Sequence, residues 1–137
     1  MIGNAKDKSN IIFFDGVCNL CNFWVKYVVR NDPHGVFYFS SLQSEFATNF
    51  LTQNDINSDF ETIILFKEGS FLKESDAVVS ILFKIGRFNR FLSRILESLP
   101  VKLRDNFYRF ISRNRYRLSG KREHCVIPDQ NLNKRFL

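Results

Sequence analysis

Ile11-Ile12-Phe13-Phe14-Asp15-Gly16-Val17-Cys18-Asn19-Leu20-Cys21 is the stretch on which the fold of this chain turns. Ile11 to Phe14 is an apolar, β-favouring run with the length of a buried strand. Asp15-Gly16 breaks it as a turn pair does. Cys18 and Cys21 follow, three apart, and lead into Phe23-Trp24-Val25-Lys26-Tyr27-Val28-Val29, which reads as a helix over about 19–30. Residues three apart on a helix share a face. Two thiols so placed can close a disulfide without large backbone movement. The first of them falls in the opening turn, where unpaired backbone N–H groups and the helix dipole favour negative charge and lower a thiol pKa.

A strand, a tight turn and C-x-x-C at a helix start form the thioredoxin-type arrangement. Asp15-x-x-Cys18-x-x-Cys21 directly after a short apolar strand resembles the DCC family of predicted thiol-disulfide oxidoreductases. Arg113-Asn114-Arg115-Tyr116-Arg117-Leu118 and Cys125 resemble that family's C-terminal region. The resemblance implies a thioredoxin-like α/β fold, a mixed sheet flanked by helices, and dithiol chemistry at Cys18, Cys21 and Asp15.

The element order supports this fold independently. Strands are expected at about 10–14, 36–39 and 62–66, with a hairpin partner at 71–73. Helices are expected at about 19–30, 42–51 and from Ser75 or Asp76 to 85, either of which can cap. The resulting order is β-α-β-α-β-β-α. Two amphipathic helices follow over about 87–118, the second starting at Pro100. Their apolar positions, Phe88, Phe91, Leu92, Ile95, Leu96 and Leu99, then Leu103, Phe107, Phe110 and Ile111, recur at helical spacing and are expected inside. In the first helix the expected buried stripe is Phe23, Trp24, Tyr27 and Val28. Residues 1–9 read as a frayed tail and 119–137 as an irregular tail with an extended piece at 125–127. One departure from thioredoxins concerns substrate docking: Glu61 precedes Thr62 where those proteins carry a cis-proline, and Pro33, Pro100 and Pro128 lie elsewhere.

At 137 residues, with 45% hydrophobic content and 16 Phe, the chain suits one domain with one substantial core. Six Gly and three Pro argue against disorder. No apolar run is long enough for a membrane span, and residues 1–10 lack the apolar centre of a signal peptide, so a cytoplasmic location is expected. Three cysteines do not make a secreted disulfide framework, and in a reducing compartment C-x-x-C is catalytic or metal-binding more often than structural.

Cys18, nearer the helix start and more exposed, is expected to attack a substrate disulfide. Cys21, deeper and crowded by Phe14 and Trp24, is expected to resolve the mixed disulfide. Asp15 has two compatible readings: a carboxylate moving a proton to or from Cys21, or an acceptor for N–H groups of the turn. A zinc set of Cys18, Cys21, His124 and Cys125 lacks a second C-x-x-C and has adjacent ligands, so neither metal nor cofactor is expected.

Residues 102–122 hold eight basic side chains and one acid, a local +7 in a chain of net +6. This segment reads as a solvated helix face, or as a dock for an anionic partner; no aromatic-basic or helix-turn-helix pattern points to nucleic acid. The expected partners are a disulfide-bearing protein or small molecule and an electron donor that the sequence does not name. A haloacid dehalogenase-type phosphatase would share the strand leading into Asp15-Gly16, but Val17 stands where its second Asp is needed. A non-enzymatic binding module with structural cysteines and a basic docking helix is the alternative from another class.

Overall fold

The computed structural model describes residues 10–16, 18–32, 35–56, 63–115 and 117. Glu61, His124, Cys125 and the two expected tails lie outside these.

Four strands form one mixed sheet. β1 (Asn10–Phe14) is central, with β2 (Tyr38–Ser41) parallel on one side and β3 (Ile64–Lys67) antiparallel on the other. β4 (Ser70–Lys73) closes the far edge, in the order β2-β1-β3-β4. Burial of all five residues of β1 explains its continuous apolar run, because each face of a central strand is covered. Ile12 and Phe14 point to one layer, where α1 (Asn19–Asn31) and α3 (Glu74–Lys84) contribute Val25, Val28, Ala77, Ile81 and Leu82. Ile11 and Phe13 point to the other, against Ala47, Phe50 and Leu51 of α2 (Glu45–Gln53). The period of two in β1 therefore divides two cores between two helical layers. The mixed sheet with helices on both faces is the expected thioredoxin-like α/β fold.

Boundaries move for local reasons. β2 starts two residues later than predicted because the Asp32 carboxylate accepts the N–H groups of Val36 and Phe37, at 3.1 and 3.0 Å, and holds them out of the ladder. Ser44 caps α2 by accepting the Ala47 N–H at 3.0 Å, so the helix begins after Leu42 rather than at it. Glu68 and Gly69 both take positive φ, 48° and 87°, which suits the two-residue turn between β3 and β4. The cap expected at Ser75 or Asp76 is not there. Lys73 occupies the N-cap position but its side chain does not cap the helix, and Ser75 turns instead to the Asp105 carboxylate.

The inward faces of three helices differ from expectation. In α1, Asn22, Val25 and Val28 are buried, whereas Phe23 is exposed. The stripe is rotated because Asn22 is drawn beneath the turn that precedes the helix. In α4 (Arg87–Glu97) the buried residues are Asn89 and Ser93, and Phe88, Phe91 and Ile95 face out. α5 (Val101–Arg113) has no buried residue; Leu103, Phe107 and Phe110 are exposed and Ile111 is half-buried. Polar contacts explain the attachment of both helices. Ser93 Oγ donates to the Val79 carbonyl, Asn89 Nδ2 to the Ile85 carbonyl and Tyr27 Oη to Asn89 Oδ1. Tyr108 Oη accepts the Ile63 N–H at 2.8 Å, and Arg104 pairs with Asp76. A buried polar group needs its partner, so these bonds fix the rotation of the pair more strictly than apolar area, which is indifferent to direction.

Candidate functional site

The site lies where β1 ends and α1 begins. Cys18 is the N-cap residue of α1, extended at φ −89° and ψ 124°, and its sulfur accepts the Cys21 N–H at 3.3 Å. Asn22, one turn in, fastens the preceding loop: its Nδ2 donates to the Gly16 carbonyl at 2.8 Å and to the Cys18 carbonyl at 2.9 Å. Both cysteines are unbridged, so this is the dithiol form.

The two thiols are electrostatically unlike. The Cys18 pKa is lowered to about 6, first by the hydrogen bond from the Cys21 thiol and then, against the penalty of burial, by backbone N–H groups at the helix start and by the charge of Arg115. The Cys21 thiol is driven far up, because it donates that bond, because it is buried and because Cys18 and Asp15 are negative nearby. The pair thus shares one proton, held on Cys21. Exposure runs opposite to the sequence expectation. Cys18 is 0% exposed, while Cys21 is half-buried and lines a cleft. The cap contributes to this: the Cys18 sulfur folds back over the helix end to accept the Cys21 N–H.

Asp15 is 3% exposed and forms a buried ion pair with Arg115, whose Nη2 lies 3.1 Å and Nε 3.4 Å from Oδ2. Gln43 Nε2 donates to the other oxygen at 2.7 Å, and Gln43 Oε1 accepts the Gly16 N–H at 2.9 Å. The basic segment is therefore not uniformly a solvated face. Arg115 is 6% exposed inside the site, whereas Lys102, Arg109, Arg113 and Arg117 are exposed. Sequence reasoning also missed Gln43, Asn22 and Tyr108. Tyr108 lines the cleft beside Cys21, and burial pushes its phenol up to about 12. Gln43 and Tyr108 carry no motif; Asn22 directly follows Cys21, but its role depends on the loop geometry, which the sequence does not display.

The cleft has a volume of about 680 Å³, within the ordinary range for small-molecule sites. Among the described residues no group of His, Cys, Asp and Glu could hold a metal ion. No helix among them is long and apolar enough to cross a membrane.

The sequence profile of the DCC1-like thiol-disulfide oxidoreductases matches residues 12–121, most of the chain and all of the site. The chain belongs to this family. Its relatives include an uncharacterized protein, YuxK, of Bacillus subtilis strain 168, 34% identical over 131 residues and 94% of each chain. A chloroplastic DCC family protein of Arabidopsis thaliana is 33% identical over 123 residues, 89% of this chain and 72% of the relative. No solved structure matches the chain. DCC membership supports a redox role.

Proposed function

We propose that this protein is a thiol-disulfide oxidoreductase in which Cys18 attacks, Cys21 resolves, and Asp15 with Arg115 sets their electrostatics. The observation that carries this reading is Cys18 at the N-cap of α1 with its sulfur accepting the Cys21 N–H, a setting that favours a thiolate there. In the first step the Cys18 thiolate attacks one sulfur of a substrate disulfide. A Cys18–substrate bond forms, the substrate S–S bond breaks, and the leaving thiolate departs. In the second step Cys21 gives up its proton to the departing sulfur and attacks Cys18 Sγ. The Cys18–Cys21 disulfide forms and the second substrate thiol leaves, two electrons having passed to substrate. A donor thiol restores the dithiol by the same steps in reverse, and the relative potentials of the couples set the net direction.

Asp15 opposes loss of the Cys21 proton and Arg115 favours it. Both are positioning residues. Because Cys18 is fully buried, attack requires its surroundings to open, and the neighbouring turn clasped by Asn22 and Gln43 is the element we expect to move. The exposed basic residues Lys102, Arg109, Arg113 and Arg117 offer a surface for an anionic partner.

The test is trapping. The Cys21→Ser variant should accumulate a mixed disulfide through Cys18 when treated with oxidised glutathione, and Cys18→Ser should accumulate little. Trapping by Cys18→Ser alone would reverse the roles. No adduct with either variant, and no Cys18–Cys21 bridge on mild oxidation of the parent, would favour a binding module with structural cysteines.

A further inference from the structure

α4 and α5 turn polar side chains inward and apolar ones outward. In α4 the exposed side chains include Phe88, Phe91 and Ile95, at 68%, 61% and 46% of their surfaces. In α5 they include Leu103, Phe107 and Phe110, at 55%, 65% and 65%. A helix turns by about 100° per residue, so each trio falls on one stripe. A second stripe lies about 100° further round each helix. It is basic and exposed: Arg87, Arg90 and Arg94 in α4, and Lys102, Arg109 and Arg113 in α5. Arg90 also lies over the Phe83 ring, and Arg109 also meets Glu74. Residues 87–113 carry seven basic side chains and two acids, a net +5 in a chain of net +6. One of the acids, Asp105, is turned inward to Ser75. Polar contacts fasten both helices to α3, Ser93 to the Val79 carbonyl and Arg104 to Asp76, so both apolar stripes face away from the same supporting helix.

Contiguous exposed apolar surface marks an interaction site. We propose that α4 and α5 dock on an anionic lipid bilayer and lie in its plane, with the phenylalanines at the acyl boundary and the basic stripes at the headgroups. Helices of 11 and 13 residues are too short to span the hydrocarbon core. An apolar stripe beside a basic one is the pattern of a helix that lies flat at the interface. The positive charge selects anionic lipid. A second copy of this chain fits less well, because it would bring one +5 surface against another. A peptide helix seeks a hollow, whereas the rings of Phe88, Phe91, Phe107 and Phe110 are each exposed by 61% or more and stand out from the surface. Nucleic acid would meet an apolar stripe where its interfaces are polar. Leu103 and Phe107 also line the cleft that reaches Cys21, so the docking face and the dithiol site share a wall. This names the anionic partner proposed above for the basic segment and does not rest on exchange at Cys18 and Cys21; vesicle binding and thiol trapping can fail separately.

The reduced full-length protein is sedimented with large phosphatidylcholine vesicles, with and without about one-third phosphatidylserine. Binding about tenfold or more tighter to the anionic vesicles is expected. It should weaken about tenfold or more in about 1 M salt, where charges are screened within roughly 3 Å. Phe88→Ser with Phe91→Ser in α4, and Phe107→Ser with Phe110→Ser in α5, remove rings already exposed in solution. Circular dichroism should be unchanged in each pair, and binding to the anionic vesicles should fall about tenfold. Arg94→Gln with Arg113→Gln should lower binding to the anionic vesicles by at least about tenfold. Absence of binding to the anionic vesicles, equal binding to both compositions, unchanged binding in both phenylalanine pairs, or tighter binding to a single-stranded oligonucleotide would overturn the proposal. A dimer in sedimentation velocity that the serine substitutions dissociate, with no vesicle binding, would assign the face to a second copy instead.

Discussion

The shared proton makes a quantitative demand on stability. In the unfolded chain both thiols titrate near 9.0; in the folded chain Cys18 titrates near 6 and Cys21 retains its proton well beyond 9.0. Between pH 6 and 9.0 the unfolded state therefore binds two protons at this pair and the native state one. Stability rises with pH wherever the unfolded state binds more protons, so the Cys18 contribution is fully present above its unfolded value and is lost as pH falls through 6. The slope is about 1.4 kcal/mol per pH unit, roughly 4 kcal/mol across the window. Above 9.0 the sign reverses, because the unfolded chain releases both protons and the native pair keeps one. Cys18→Ser is the reference: serine at an N-cap can accept the Cys21 N–H as the sulfur does, and it does not titrate. Urea denaturation under reducing conditions, at steps from pH 6 to 9.0, gives the parent-minus-variant difference. That difference should widen with pH by several kcal/mol. Parallel stability profiles, or a gap that narrows as pH rises, would refute the assignment of a native thiolate to Cys18.

Three further outcomes are expected. Arg115→Met leaves the Asp15 carboxylate buried without its counter-charge and should cost about 3–5 kcal/mol by urea denaturation, with Asp15→Asn in the same chain restoring a large part. Gln43→Ala removes the bridge between Asp15 and the Gly16 N–H, so iodoacetamide should modify Cys18 faster than in the parent at the same pH; an unchanged rate would mean that the turn does not gate the sulfur. Phe50→Ala empties the centre of a cluster in which its ring meets those of Phe13, Phe46, Phe66 and Phe71, and should lower stability by about 3–5 kcal/mol without altering the pH dependence of thiol labelling.

The sheet and the dithiol loop were legible because their signals are local. A four-residue apolar run, a turn pair and two cysteines three apart specify β1, the bend and the start of α1 with little help from elsewhere. Helix rotation was not. Periodicity in α4 marks an apolar stripe at Phe88, Phe91 and Ile95 and a polar one at Asn89 and Ser93, and only the tertiary partners decide which turns inward. Here Val79 and Ile85 carbonyls and the Tyr27 hydroxyl decide for the polar stripe. Arg115 was hidden for a related reason. Among seven other basic residues in its segment, nothing in the sequence distinguishes the one whose guanidinium lies against Asp15. The low Cys18 pKa was readable from its place at the helix start, but its enclosure was not, because that depends on the direction in which the capping sulfur turns.

The pairing of Asp15 with Arg115 joins positions 100 residues apart. On the ribosome, at about 5–20 residues per second, the carboxylate and both thiols emerge some 5–20 s before the guanidinium that completes their setting. During that interval Asp15 has no Arg115 to neutralise it, and the charge that helps hold the Cys18 proton off is missing. The nascent chain therefore carries cysteines of more ordinary reactivity than the finished protein. Synthesis past α5 to Arg115 is what completes the site, so a chain truncated before Arg115 would keep its C-x-x-C motif and leave the Asp15 carboxylate without its counter-charge.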